Sequence, residues 1–198
     1  MRAAVAMTLA ANVGKMLTLE LAQAMAREIC VTPDKSFKPQ DFPPVEHKGY
    51  VLALEQFRDI LPELHILHQR HYAEVDTSGI PLNGDHDAGK LSEHNGGLMQ
   101  FTARVKATGE LVGNLRFFIF SSHYTQTLIG NQDTLYILPE HRGSFMAVHL
   151  WRFAEVAMAK AGVLEIIFMI PKTQSSAMAR RLKYTPSATK FSKFLTRK

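Results

Sequence analysis

A long apolar helix between two apolar strands is the feature that most limits the folds open to this sequence. Residues 144–161 repeat apolar side chains at the spacing of a helix face, and Gly162 closes the helix as a C′ residue. Residues 134–138 before the helix and residues 163–170 after it are apolar runs of strand length. Strands that alternate with helices in this way predict an α/β (α+β) domain with a mixed central β-sheet and helices on both faces.

The remaining elements follow from the same periodicities. Residues 98–107 and 111–120 flank a Thr108-Gly109-Glu110 turn, and apolar and polar side chains alternate along the first of them, which predicts a hairpin. We further expect a strand over 50–54, helices over 57–75, 85–94 and 175–182, and a last strand over 190–195.

The first 46 residues differ in composition from the rest of the chain. Residues 17–30 carry an apolar stripe at helical spacing, whereas residues 31–46 contain four prolines and favour an extended linker. The sequence therefore predicts a helical arm and a proline-rich linker over residues 1–46, followed by a domain over residues 47–198. The arm could cover the core of its own domain, pair with a second copy in a homodimer, or dock a partner, and we favour the first.

Cysteine usage and apolar content limit the class of protein. A single cysteine, Cys30, excludes an internal disulfide and a cysteine-built metal cage, which fits a reducing cytoplasm. The apolar runs are shorter than the roughly 20 residues that span a bilayer. Residues 1–11 are too weakly apolar for a secretory signal, so we interpret them as part of the protein. We expect a cytoplasmic protein that does not contact a membrane.

Positive charge is concentrated at the C-terminal end. The chain has a formal net charge of +5, and residues 171–198 contain eight Lys or Arg and no acidic residue. This segment could face an acidic ligand, a nucleic acid or only solvent, and we rank nucleic acid as an unlikely partner.

The loop that enters the long helix is suited to binding an anion. The first N–H groups of a helix have no partner within the helix, and the helix dipole makes that end partly positive. A strand that leads into such a helix end can hold a pyrophosphate, with Arg142 as an added cation and Gly143 permitting a tight turn. The glycine patterns of phosphate-loop nucleotide hydrolases and of dinucleotide-binding folds are absent from the sequence.

This loop resembles motif A of the GNAT N-acetyltransferase superfamily, which reads Arg/Gln-x-x-Gly-x-Gly/Ala after a strand. Arg142 and Ala147 match the motif, while Phe145 stands where the middle glycine is usual. The chain also resembles the GNAT-like acetyltransferases of tailed bacteriophages, in order, over roughly residues 50–195. The segments that carry this second resemblance are 80–83, 100–104, 109–113, 123–124, 131–133 and 191–195.

The resemblance implies acetyl-CoA (coenzyme A) as the cofactor, wedged where residues 134–138 splay from residues 163–170. Backbone groups of Ile137 and Leu138 would hold the pantetheine, and Lys172, Ser175 and Ser176 would contact the cofactor from the next strand. Binding of this cofactor would explain the basic C-terminal segment, because coenzyme A carries several phosphate charges. The pyrophosphate would be held by the amides of Arg142, Gly143, Ser144, Phe145, Met146 and Ala147.

The resemblance also implies transfer of an acetyl group to an amine by direct attack in a ternary complex. Asp133 stands about where some members place an acidic base, and His123 and Tyr124 could lie near the acceptor. The usual leaving-group acid is a tyrosine in the helix after the last central strand. Residues 175–182 contain none, which leaves Tyr184 as the candidate.

The acceptor would be a protein lysine, a protein N-terminus or a small amine, and the phage resemblance points to a protein of the host cytoplasm. An alternative is a GNAT-shaped binding module that docks a host protein with little or no catalysis. The missing helix tyrosine, Phe145 and the appended arm motivate this alternative.

Other clusters carry weaker signals. His65, His68 and His71 recur every third residue on an expected helix, with residues 85–87 downstream, and could bind zinc. Because this spacing drifts around the helix, we interpret them as a polar face and expect no metal. Cys30 lies outside the domain and near no evident base, so we expect no covalent acyl intermediate. Three phenylalanines are expected in the core rather than on a base-stacking surface: Phe117, Phe118 and Phe120.

Overall fold

Six strands form one sheet in the computed structural model, which describes residues 2–30, 34–75, 81–84, 86–143, 145–170 and 176–187. Neighbouring strands are antiparallel except for the last pair, β5 and β6, which are parallel. The sheet is therefore mixed, as the sequence predicted. The strands lie side by side in chain order: β1 Val45–His47, β2 Tyr50–Glu55, β3 Leu98–Val105, β4 Leu111–Ser121, β5 Leu128–Ile137 and β6 Val163–Ile167.

Helices pack on both faces of this sheet. Phe117 on β4 contacts Trp151 of α5, with ring centroids 5.2 Å apart. Its neighbours Arg116 and Phe118 point to the opposite face, where they line a cavity together with α3 and α4. The helices are α1 Arg2–Ala11, α2 Leu19–Cys30, α3 Leu61–Val75, α4 His86–His94, α5 Met146–Lys160 and α6 Ala177–Arg181.

The core lies mainly between α5 and the sheet. Trp151, Leu150, Ala154 and Met158 of α5 are each fully buried. The helix starts at Met146 rather than at residue 144, because Phe145 has a left-handed backbone with φ of 57°.

Strand β5 begins at Leu128, earlier than the predicted residue 134. Gly130 interrupts the apolar run, yet it pairs with Ile119 on β4 and with Ile166 on β6, and Met158 packs closely on it. A Cβ at residue 130 would lie 2.9 Å from the Met158 sulfur. Strand β6 ends at Ile167 and forms the edge of the sheet within the described residues. The expected strand over 190–195 lies outside them.

The segment expected to be an extended linker is packed against the domain over its described part, 34–46. Val45 pairs with Leu52 as β1 joins the sheet, and Phe42 is 8% exposed in the core. The Gln56 side-chain amide donates to the Phe37 carbonyl at 2.6 Å. The prolines stop helix formation here but do not prevent a short edge strand, so the interpretation as a linker is corrected for these residues.

The arm forms a helical pair. Helices α1 and α2 contact each other, and neither makes a comparably extensive contact with the sheet or its helices in the part of the chain that is described. Apolar side chains of the arm, including Met7, Val13 and Met16, are largely exposed. The expectation that the arm covers its own domain remains a prediction. No described helix combines the length and apolarity needed to cross a bilayer.

Candidate functional site

The parallel strands β5 and β6 separate halfway along β5. Their register runs from Leu128 opposite Val163 to Asn131 opposite Ile167, where β6 ends. Strand β5 continues to Ile137, and in the described chain its residues 132–137 have no partner in β6. Beyond the last pair, the Gln132 side-chain oxygen accepts from the Met169 N–H at 3.1 Å. The result is a wedge between two parallel strands.

A β-bulge lies at the start of this wedge. Arg116 on β4 pairs with Thr134 and Phe117 pairs with Gln132, so Asp133 is the extra residue on β5. A bulge bends the strand and redirects a side chain, and bulges are common beside active sites. Here the bulge brings Asp133 into the wall of a cavity on the α3–α4 face.

The N-terminus of α5 lies at the far end of the wedge. The turn Pro139–His141 follows β5, and the first helical hydrogen bond runs from the His149 N–H to the Phe145 carbonyl at 3.1 Å. No described side chain caps this helix, so the N–H groups of Met146 and Ala147 have no helical partner. Uncapped amides at a helix start attract an anion.

Phe145 shapes this helix start. Its left-handed conformation, with φ of 57°, is one that glycine adopts more readily, which explains the glycine usual at this motif position. The ring is about half exposed, and the Arg181 guanidinium carbon of α6 lies 4.2 Å from its centroid. The departure from the motif therefore adds a stacked cation beside the first amides of α5.

The Arg142 side chain is engaged within the protein. Its Nη1 and Nη2 donate to the two carboxylate oxygens of Glu74 on α3 at 2.8 and 2.7 Å, and its Nε donates to the Ile137 carbonyl at 2.8 Å. Hydrogen bonding to this guanidinium lowers the pKa of Glu74 below its ordinary value. The expected free cation is thus neutralised, and Arg142 ties the loop to α3 and to the end of β5.

Two expected pantetheine contacts also have partners inside the chain. The Ile137 carbonyl accepts from Arg142, and the Leu138 N–H donates to the Val112 carbonyl at 2.9 Å. Gly143, with φ of 109°, provides the tight turn that the sequence predicted. Ser176 lies exposed before α6, where its hydroxyl accepts from Arg180. Ser144, Lys172 and Ser175 lie outside the described residues.

A cavity of about 400 Å³ lies between helices α3 and α4 and strands β4 and β5. Asp133 and Arg116 form an ion pair in its wall, where Oδ2 of Asp133 accepts from Nη2 and Nε of Arg116 at 2.6 and 2.8 Å. The same oxygen accepts from the Thr134 hydroxyl at 2.7 Å. The Arg116 guanidinium carbon also lies 5.5 Å from the Phe57 centroid and 5.8 Å from that of Phe118.

Three histidines line this cavity: His68 and His71 of α3 and His86 of α4. Burial, reinforced by the nearby Arg116 charge, lowers the pKa of His68 to about 4. Burial also lowers the pKa of His71, whose ring stacks on Tyr136 at 4.8 Å. These two imidazoles are therefore neutral at pH 7. Nε2 of His68 is buried and has no hydrogen-bond partner among the described residues.

The sequence placed these histidines on a helix but did not assign them to the cavity. Their spacing of three residues was the available signal, because it keeps His68 and His71 on neighbouring parts of one helix face. His65 is exposed and contacts Gln69, with 3.0 Å between Nε2 of each residue. Within the described residues, no three groups are arranged to hold a metal ion.

The structure separates His123 and Tyr124 from Asp133. Both lie in the turn between β4 and β5, and Tyr124 is 99% exposed. Asp133 lies five residues beyond Leu128, the first residue of β5, which corresponds to about 15 Å along a strand. The turn and the bulge are therefore at different ends of the site.

Tyr184 follows α6 in the chain and packs in an aromatic cluster with Trp151 of α5 and Phe168. Its hydroxyl accepts from Nε1 of Trp151 and donates to Glu155, both at 2.9 Å, and its ring packs edge-on against Phe168. Burial raises the pKa of Tyr184 above its ordinary value, and Glu155 adds to this effect. A phenol so held is a poor proton donor to a leaving group.

Solved structures with the same fold are N-acetyltransferases and related proteins. Neither a known protein family nor a curated protein matches the sequence itself. An aminoglycoside acetyltransferase from an uncultured soil metagenomic sample, in complex with sisomicin, is 13% identical, with a TM-score of 0.57 over 76% of this chain and 96% of that chain. A ribosomal-protein-alanine N-acetyltransferase from Brucella melitensis biovar Abortus 2308 is 22% identical, with a TM-score of 0.56 over 75% of this chain and 97% of that chain.

A predicted acetyltransferase from Clostridium acetobutylicum, solved with acetyl-CoA, is 13% identical, with a TM-score of 0.58 over 73% of this chain and 96% of that chain. These similarities confirm the predicted fold: the mixed sheet with its flanking helices is the GNAT acetyltransferase fold.

Proposed function

We propose that this protein is an acetyl-CoA-dependent N-acetyltransferase, in which the acceptor amine enters the cavity beside Asp133. One observation carries the proposal. The wedge between β5 and β6 leads from the bulge at Asp133 to the uncapped start of α5, so that an anion-binding end and a cavity with a carboxylate flank the same strand.

The residues at the wedge fit coenzyme A, which supplies an acetyl group activated as a thioester. The amides of Met146 and Ala147, which no described side chain caps, suit a pyrophosphate, and Arg181 adds a cation beside Phe145. The unpaired edge of β5 offers hydrogen bonds to the amides of a pantetheine arm. The proposed contacts to coenzyme A also include Ile137, Leu138, Gly143, Ser144, Lys172, Ser175 and Ser176.

We assign the removal of a proton from the acceptor amine to residues of the cavity wall. As the C–N bond forms and the C–S bond breaks, the amine would lose one proton to the protein, and coenzyme A would leave as a thiolate that takes a proton from solvent. The hydrogen bonds described for Asp133 all end on Oδ2, which leaves Oδ1 as the proposed proton acceptor. Neutral His68 lies close enough to interact with both Asp133 and Arg116. We assign it the next place after Asp133 in the path of the proton. His123, Tyr124 and Tyr184 are not assigned a step, because of their placement.

Calorimetric titration with acetyl-CoA tests the proposal, with Phe145→Asp as the decisive variant. Aspartate tolerates a left-handed backbone and is favourable at a helix start, so this variant should fold. Its carboxylate would repel a pyrophosphate, and we expect at least tenfold weaker binding. The matched control is Val156→Asp, which makes the same charge change at an exposed position of α5. No binding by the folded wild-type protein would overturn the proposal.

A second candidate function is a docking module that has kept the fold and lost the chemistry. The capture of Arg142 by Glu74 supports it, because the cation of the motif is neutralised. Action on a host protein in the cytoplasm of a phage-infected cell is the finer form of either proposal, and it is carried only by the resemblance of the sequence segments. A folded protein that binds no acetyl-CoA but retains one specific host protein would favour this candidate.

A further inference from the structure

We infer that the cavity beside Asp133 accepts a primary amine carried on an apolar or aromatic body, with no second positive charge. This inference rests on the proposed function and specifies its acceptor. The argument has three parts: the charge of the cavity wall, its apolar surface, and the cost of placing a second cation there.

The charges in the described cavity wall cancel. Among the described lining residues, Arg116 carries the only guanidinium and Asp133 the only carboxylate, and they bind each other at 2.6 Å. His68 and His71 contribute neutral imidazoles at pH 7, because burial lowers the pKa of both. One amine can approach Oδ1 of Asp133, but no described carboxylate remains for a second ammonium.

The remaining wall is apolar and largely aromatic. A cavity of about 400 Å³ is within the range of small-molecule sites and holds a compact ring with a short side arm. Phe57 is 2% exposed and forms part of the rigid core, whereas Leu82 is 43% exposed at the rim. The apolar surface is formed by Phe57, Tyr72, Val75, Leu82 and Phe118.

A polycationic acceptor would meet unfavourable surroundings. Moving a charged ammonium out of water is costly unless a partner of opposite charge replaces the lost solvation. In this cavity a second ammonium would meet aromatic rings and the Arg116 guanidinium, which repels it. An apolar body instead gains about 25 cal/mol for each Å² removed from water.

Two probes that differ by one aminomethyl group, and therefore by one positive charge, test the inference: benzylamine and 4-(aminomethyl)benzylamine. Turnover is followed as release of the coenzyme A thiol, and binding as saturation transfer from protein to amine in NMR without acetyl-CoA. We expect benzylamine to bind and to have at least a tenfold higher kcat/KM than the diamine. Equal or better use of the diamine, or no binding of benzylamine to the folded protein, would overturn the inference.

A variant of the rim shows whether the preference arises in this cavity. Leu82→Glu adds a carboxylate at the cavity rim and should reduce the preference for the monoamine at least fivefold. The matched control is Val156→Glu, at an exposed position of α5 outside the cavity wall, which should leave the preference unchanged. An unchanged preference in Leu82→Glu would contradict the inference.

The two proposals fail in different ways. Binding of acetyl-CoA is measured separately by calorimetry, so a protein that binds acetyl-CoA but neither amine overturns only the acceptor inference. A protein that binds benzylamine but not acetyl-CoA overturns the proposed function, and the acceptor inference with it.

Discussion

Glu74 on α3 and Arg142 in the loop before α5 form a two-pronged ion pair, with both carboxylate oxygens within 2.8 Å of guanidinium nitrogens. The two residues are 68 positions apart in the sequence. The pair links α3, which lines the cavity beside Asp133, to the loop that enters α5. The loop therefore has a fixed position relative to α3 but carries less positive charge than its motif suggests.

Glu74→Gln should strengthen acetyl-CoA binding. The substitution removes the carboxylate that neutralises Arg142, so the guanidinium charge becomes available to the phosphates. Both side chains are more than 40% exposed, and the loss of stability should be below about 1 kcal/mol. Calorimetry at low and high salt measures the change, which should shrink as salt screens the charge. An unchanged affinity at low salt would show that Arg142 does not act on the cofactor.

Asp133→Asn should lower kcat by about 10²- to 10⁴-fold, the usual loss when a general base is removed. Asparagine keeps the shape and still accepts from Arg116, so the ion pair is replaced by a hydrogen bond from the charged guanidinium to a neutral amide. The control is Glu46→Gln, which removes a carboxylate from an exposed pair with Lys106. If Asp133→Asn changes KM but leaves kcat intact, Asp133 positions the acceptor and another group takes the proton.

The sequence predicted the loop before α5 better than the cavity beside Asp133. The loop is a local feature: Arg142, Gly143 and Ala147 are close in the chain, and the left-handed backbone at Phe145 explains a glycine motif. The cavity is assembled from α3, α4, β4 and β5, so its charge balance depends on contacts that no local pattern reveals.

The bulge at Asp133 illustrates this difference. It is a shift of register between two strands, and the alternation of β5 alone does not locate it. His123 and Tyr124 precede Asp133 by ten and nine residues in the sequence, but they lie in the turn before β5, whereas Asp133 lies in the middle of that strand. Strand β1 was missed because Pro43 and Pro44 mask a three-residue edge strand that pairing with β2 stabilises.

Phe145→Gly should be about 1 kcal/mol more stable than Phe145→Ala. Residue 145 has a left-handed backbone, which destabilises alanine by about this amount but not glycine. Both variants lose the stack with Arg181, so that loss cancels in the comparison. Urea denaturation of the two variants measures the difference. A more stable alanine variant would mean that residue 145 does not keep the left-handed conformation.

Stability should fall as the pH is lowered from about 6.5 to about 4, and His68 should cause part of this fall. The pKa of His68 is lowered from 6.5 to about 4 in the folded protein, so the unfolded chain binds the proton first and is favoured as the pH falls through this window. Urea denaturation at pH 7, 5.5 and 4.5 should show a smaller decline for His68→Gln. The control is His123→Gln in the exposed turn, which should decline like the wild type. Equal declines for all three proteins would contradict the placement of His68.

Gly89→Ala should both destabilise the protein and narrow the acceptor cavity. A Cβ at residue 89 of α4 would lie 2.6 Å from Cε1 of Phe57, a ring that is 2% exposed and therefore has little room to move. Overpacking of this kind costs about 1–3 kcal/mol, measurable by urea denaturation. Gly84→Ala is the matched control, because its Cβ would meet its nearest atom at an ordinary 3.7 Å.

The second substitution Phe57→Leu, made in the Gly89→Ala background, separates the clash from a loss of helix structure. A smaller side chain at residue 57 removes the contact, so part of the lost stability should return. Because Phe57 also lines the cavity, benzylamine binding should weaken in Gly89→Ala and change again in the double variant. If Gly89→Ala were as stable as Gly84→Ala, α4 would not pack against Phe57 as described, and the aromatic wall of the acceptor cavity would be lost with it.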